Sequence, residues 1–117
     1  ALPVPYRTNE KEPTFQSLTD HDCPCEACRP ERAFPVNLDP FVCTRTEIAE
    51  FTKKALGIGI NFFGLCCGAA PHHIRAMAET LGRHPEASKY SADMSKHEFF
   101  GKDEKLKKEY LEFKDRL

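Results

Sequence analysis

Apolar residues recur at helical spacing in three stretches of this chain, and each stretch begins at residues that start helices. Thr44-Arg45-Thr46-Glu47 has the form of a capping box, in which an N-cap threonine and a glutamate three residues on each satisfy the other's backbone N–H. Ile48, Phe51 and Ala55 follow at i, i+3 and i+7 as a stripe to be buried, Glu47, Glu50, Lys53 and Lys54 face elsewhere, and Gly57 or Gly59 supplies the stop. A second helix is predicted from Pro71, well placed in a first turn, with Ile74, Met77, Ala78 and Leu81 on its apolar side and Gly82 at its end. In the third stretch Leu106, Tyr110, Phe113 and Leu117 repeat at i, i+4, i+7 and i+11, behind a second capping-box pattern at Ser95 to Glu98. That pattern predicts an amphipathic packing arm.

Two further segments read as strands. ALPVPYRT, residues 1 to 8, is short and apolar, although Pro3 and Pro5 each remove a ladder donor. Ile60-Asn61-Phe62-Phe63-Gly64-Leu65 is a nearly continuous apolar run, too short for a helix and of the kind expected of a parallel strand covered on both faces. Between them residues 9–43 hold five of the nine prolines and no helical period, so a long functional loop is expected, tied down by Phe15, Leu18, Phe34, Val36, Leu38 and Phe41. The order strand, long loop, helix, strand, short loop, helix predicts an α/β class with up to two β/α units, their remaining strands coming from elsewhere because two strands do not make such a sheet stable.

Length and charge narrow the function. A chain of 117 residues is far below the about 250 of a full (β/α)8 barrel. The net charge is −1, and the nine basic and eight acidic residues after Gly82 are intermixed, so neither a nucleic-acid binder nor a protein steered to a membrane is expected. No apolar run approaches the ~20 residues of a membrane span, and the first residues lack the pattern of a signal peptide. A soluble protein is expected. The absence of an initiator Met marks a processed end, an expression boundary or the edge of a fragment.

Six cysteines are many for this length, and their spacing bears on their chemistry. Cys66 and Cys67 are adjacent, poorly placed to bridge each other but able to give two thiolates to one metal, which favours a reducing compartment. They stand at the carboxyl end of the second predicted strand, where catalytic groups gather in α/β folds, between Gly64 and Gly68, which permit the turn that brings both sulfurs to one ion. Two sulfurs are too few for zinc, which needs a third protein ligand if a fourth position is to stay open. Metal ligation is the expected role of the pair, with small buried cysteines as the alternative. His72 and His73 begin the following helix and are assigned to packing, capping or solvent. Cys23, Cys25 and Cys28 could form a second site with Cys43 or His21, but they lack the usual paired spacing, and unligated thiols are the expected account.

The run Gly59-Ile60-Asn61-Phe62-Phe63-Gly64-Leu65-Cys66-Cys67-Gly68, followed by Pro71-His72-His73-Ile74-Arg75-Ala76-Met77-Ala78, resembles the C-terminal portion of the homocysteine S-methyltransferases, most of all the betaine-homocysteine type. Leu38-Asp39-Pro40 and Thr44 to Ile48 resemble the segment leading into the last barrel helices, and Asp93-Met94 and Lys108-Glu109-Tyr110 the extension beyond the barrel. The resemblance implies the C-terminal segment of a (β/α)8 TIM barrel followed by a helical extension. Residues 1–82 would be its last two β/α units, and 83–117 an extension or oligomerisation arm. It implies Zn2+ as cofactor, held by Cys66 and Cys67 and by a third cysteine from an earlier strand that matches no residue here. No catalytic residue is carried over.

The activity so implied is transfer of a methyl group from betaine to homocysteine, giving methionine, in a cytoplasmic homo-oligomer completed by the missing N-terminal barrel. S-methylmethionine is the alternative donor. A non-catalytic zinc-binding or structural fragment is the alternative of another class, and the 117-residue chain by itself is expected to be inactive.

Overall fold

A computed structural model describes residues 1–22, 31–93 and 96 of the 117. The chain divides into two compact units, Ala1–Pro85 and Glu86–Leu117. In the first unit two α-helices form, α1 over Arg45–Gly57 and α2 over Pro71–Thr80, and they pack on each other.

Helix α1 starts where the capping box puts it. The Thr44 hydroxyl accepts from the Glu47 N–H at 3.2 Å, and the Thr44 N–H donates to Glu47 Oε2 at 2.6 Å, so two of the unpaired amides at the helix start are satisfied. Its buried face is Ile48, Thr52 and Ala55. Thr52 is fully buried because its hydroxyl donates to the Ile48 carbonyl at 2.7 Å, which removes the cost of a lone polar group. The helix ends at Gly57, and Gly59, at φ 89°, turns the chain away.

Helix α2 presents His73, Ala76 and Met77 to the interior. Ile74, expected on that face, is 45% exposed. The inward stripe is therefore rotated by one residue from the one drawn through the apolar positions. Ala55 and Ala76 are buried with Ile48 and Met77, and each large side chain buried in this way contributes about 1.5–3 kcal/mol before ordering costs.

The loop after Arg7 folds back on itself. Its base is closed by an antiparallel bridge between Tyr6 and Val42, where the Arg7 N–H reaches the Phe41 carbonyl and the Cys43 N–H the Pro5 carbonyl, both at 2.8 Å. A second bridge pairs Thr19 with Arg32. Leu18 and Ala33 are its buried anchors, and Phe15 stacks on Tyr6 at 5.5 Å and meets Phe34 edge-on at 5.6 Å. Val36, expected to be an anchor, is 60% exposed.

The α/β expectation is corrected by the structure. None of the described residues lies in a β-strand, so a TIM-barrel segment is not formed; the described regular structure is helical. The reason lies in Pro3 and in the missing neighbours. Ala1 donates to Phe62 O, and the Gly64 and Cys66 N–H groups donate to Ala1 O and Pro3 O, both at 2.9 Å, so residues 1–3 and 62–66 run alongside each other. Pro3 has no N–H to return, and among the described residues no β-bridge joins a third segment to the pair. The apolar run expected to be covered on both faces instead leaves Phe62 72% exposed.

In the second unit a 3-10 turn forms over Glu86–Tyr90. Lys89 pairs with Glu86 at 3.1 Å and lies 5.1 Å from the centre of the Tyr90 ring. The arm expected over Ser95 to Leu117 lies outside the described residues, Lys96 excepted.

Candidate functional site

Cys66 and Cys67 stand in the turn between the 62–66 segment and α2, both exposed, with their sulfurs 3.7 Å apart. Neighbouring residues can aim two side chains the same way only where the backbone bends, and the bend here is explicit. The Ala69 N–H returns to the Cys66 carbonyl at 3.2 Å, and Gly68 sits at φ 86°. A Cβ on Gly68 would run into the Tyr6 phenol, which lies directly over the turn. Both the backbone angle and the contact thus require glycine at 68.

The turn is held from below by α2. Ala70, the N-cap of that helix, has no side-chain acceptor, so half of a capping box is built from the other direction: its N–H donates to His73 Nδ1 at 3.1 Å. That bond leaves the imidazole proton on Nε2, which donates to the Cys43 carbonyl at 2.8 Å. His73 is 1% exposed and both its ring nitrogens are engaged. His72 is exposed beside it, rings 4.1 Å apart, and partial burial, His73, Arg45 and Arg75 disfavour its protonation. Cys43 is half-buried; burial, and next the nearby Glu47 carboxylate, push its thiol up.

The donor set fits a zinc ion as far as it goes. Two thiolates at about 2.3 Å from one tetrahedral ion stand roughly 3.8 Å apart, close to the spacing of this pair. Among the described residues, however, no group of three or more His, Cys, Asp or Glu is placed to hold a metal. The metal-binding character expected of the chain is corrected to that extent: its described residues do not build a metal centre by themselves. Cys23, Cys25 and Cys28 lie outside the described residues. A separate open groove of about 700 Å³ is lined by Asn9, Glu10, Lys11, Glu12, Thr19 and His21. Its Glu12 already accepts from Thr19 and Asn9, which hold its carboxyl below the ordinary value, and His21 pairs with Glu31 at 2.7 Å.

The homocysteine S-methyltransferase family model matches residues 7–81, the stretch that holds the loop, both helices and the thiol turn. The chain belongs to that family. The chain is 42% identical over 79 residues to a betaine–homocysteine S-methyltransferase 1 of Danio rerio, covering 62% of this chain and 20% of that protein. It is 40% identical over 68 residues to the same enzyme of Rattus norvegicus, covering 58% and 16%. It is also 40% identical over 68 residues to the S-methylmethionine–homocysteine S-methyltransferase BHMT2 of Mus musculus, covering 58% and 18%. The chain spans about a fifth of the length of these curated relatives. No helix among the described residues is long and apolar enough to cross a membrane.

The sequence shows the thiol pair, and it places His73 in packing or capping, both of which the buried ring on the Ala70 N–H fulfils; it gives no role to Tyr6. A signal for His73 was present: it lies three and four residues before Ala76 and Met77, on one helical face with them. For Tyr6, more than sixty positions from Gly68 in sequence, there was none.

Proposed function

We infer that this chain is part of an enzyme that methylates homocysteine to methionine, and that Cys66 and Cys67 are its contribution to the reacting centre. The observation that carries the reading is the pair of exposed sulfurs 3.7 Å apart, inside the stretch matched by the family model. Such a pair can hold two positions on one zinc ion, its remaining ligand coming from outside the described residues. Zinc, when bound, lowers the pKa of a coordinated thiol and so keeps a homocysteine sulfur in its nucleophilic form at neutral pH.

The chain's own residues do the holding. Cys66 and Cys67 act as ligands rather than nucleophiles, and their exposure leaves the sulfurs open to substrate and to the rest of the protein. Gly68 and Tyr6 fix the turn, and α2 fixes its far end. In the transfer an S–CH3 bond forms and the donor's bond to that methyl breaks, the electron pair remaining on the donor atom. The donor we assign is betaine, supported by the similarity to betaine-dependent relatives; the S-methylmethionine-dependent relative of Mus musculus is at comparable identity and supplies the second reading.

The test uses the full-length protein carrying this sequence. Cys66→Ser and Cys67→Ser should each reduce zinc content and methionine formation to background, with betaine the better donor in the parent protein. Zinc content and methyl transfer that survive both single changes sink the assignment, and faster turnover with S-methylmethionine reverses the choice of donor. The isolated 117-residue chain, given zinc, homocysteine and either donor, should form no methionine.

A further inference from the structure

We propose that His73 is the positioning residue of the thiol turn, clamping Ala70, the residue that follows the turn, to the backbone of Cys43 and so setting how Cys66 and Cys67 are presented. The inference rests on the reading above, that the two thiols form the reacting centre.

A continuous line of hydrogen bonds carries it. The Cys43 N–H donates to the Pro5 carbonyl at 2.8 Å, His73 Nε2 to the Cys43 carbonyl at 2.8 Å, the Ala70 N–H to His73 Nδ1 at 3.1 Å, and the Ala69 N–H to the Cys66 carbonyl at 3.2 Å. The N-terminal segment, the residue before the α1 cap and the thiol turn are thus tied through one buried ring. The same segment touches the turn a second time, because Tyr6, next to Pro5, lies over Gly68. A buried position meant only for filling space would be served by an apolar residue without the cost of satisfying two ring nitrogens. Here both nitrogens are used, one on each of two segments 27 residues apart in sequence (Cys43 and Ala70). Groups that orient a ligand without touching the ion typically change metal affinity by about 10–100-fold when removed.

The two bonds can be separated by substitution. His73→Asn places an acceptor near the Nδ1 position and keeps the Ala70 bond. His73→Gln reaches toward Cys43 with an amide N–H and gives up Ala70, and His73→Phe keeps the ring and loses both.

The probe is phenylarsine oxide, which joins two neighbouring thiols through two As–S bonds with loss of water. It would be titrated into the whole 117-residue chain with Cys23, Cys25 and Cys28 changed to Ser, and folding checked by helical circular dichroism. We expect His73→Asn, His73→Gln and His73→Phe each to lose about tenfold or more, because each releases at least one end of the clamp. Parent-like affinity in His73→Gln and His73→Phe overturns the proposal. Should those variants fail to fold, Ala70→Pro removes the same N–H from the other side and should show the same loss; unchanged binding there overturns it equally. Cys66→Ser and Cys67→Ser separate the two readings. Binding lost in these but unchanged at His73 defeats the His73 role alone, whereas binding that survives them defeats the paired-thiol reading and this inference with it.

Discussion

Arg7 and Glu47, forty residues apart, meet in a two-pronged ion pair: Nε lies 2.6 Å from Oε1 and the second guanidinium nitrogen 2.8 Å from Oε2. The same carboxylate accepts from the Thr44 N–H and hydroxyl at 2.6 and 2.8 Å. One side chain therefore completes the cap of α1 and anchors the N-terminal segment on which the thiol turn leans. Arg7, then the Thr44 backbone, hold the Glu47 carboxyl down at about 2, against an ordinary value of 4.5.

That depression gives a pH dependence of defined sign. A carboxyl lowered on folding stabilises the native state above its unfolded value, and the contribution is lost as pH falls through the folded one. Glu47→Gln should lower the melting temperature at pH 7, and the gap to the parent should close between about pH 4.5 and about 2. Melting curves across that range check it. Both side chains are partly solvent-exposed, so the effect should also shrink in high salt. Thr44→Ala, which removes the cap and the hydroxyl that donates to Glu47, should cost about 1 kcal/mol at pH 7 and less once that carboxylate is protonated.

Glycine substitutions should divide sharply. Gly68→Ala forces a left-handed backbone angle on alanine, costing about 1–2 kcal/mol, and drives its methyl into the Tyr6 phenol. Tyr6→Ala in the same chain should recover part of the loss by removing the clash but not the backbone cost. At Gly57, where an added methyl meets nothing within 4 Å, alanine should leave stability unchanged or raise it by up to about 1 kcal/mol. Denaturant titration of the three variants distinguishes these outcomes.

Thiol labelling should follow exposure. Cys66 and Cys67 are exposed, whereas Cys43 is half-buried with its thiol pushed up, leaving less of the reactive thiolate. Brief treatment with iodoacetamide at pH 8, read by peptide mass spectrometry, should modify Cys66 and Cys67 well before Cys43. Faster labelling of Cys43 would contradict its placement at the base of the loop.

The loop core should be sensitive to a single truncation. Leu18 is 1% exposed, and Leu18→Ala should destabilise by about 2–5 kcal/mol, enough to unfold a unit of this size in a large fraction of molecules. Val36→Ala, at a position 60% exposed, should change stability by less than about 0.5 kcal/mol. Thermal melts of the two variants side by side test the distinction.

Local chemistry was legible in the sequence wherever the interacting groups are neighbours along it. Thr44 and Glu47 announce the start of α1, Pro71 the start of α2, and Gly59, Gly68 and Gly82 the positive-φ turns, because each involves only residues within one turn of backbone. Cys66 and Cys67 were likewise visible as a pair because they are adjacent.

Long-range placement was decided by the tertiary structure. The predicted strands failed because strand formation depends on partners distant in sequence: Pro3 cannot return a hydrogen bond, and Phe62, expected under a covering layer, is 72% exposed. The inward face of α2 turned toward His73 because two acceptor and donor groups, Cys43 O and Ala70 N–H, outweigh the apolar claim of Ile74 at the adjacent position. Whether Tyr6 covers Gly68 or Arg7 grips Glu47 follows from chain segments brought together across tens of residues, which no local pattern of hydrophobic and polar positions encodes.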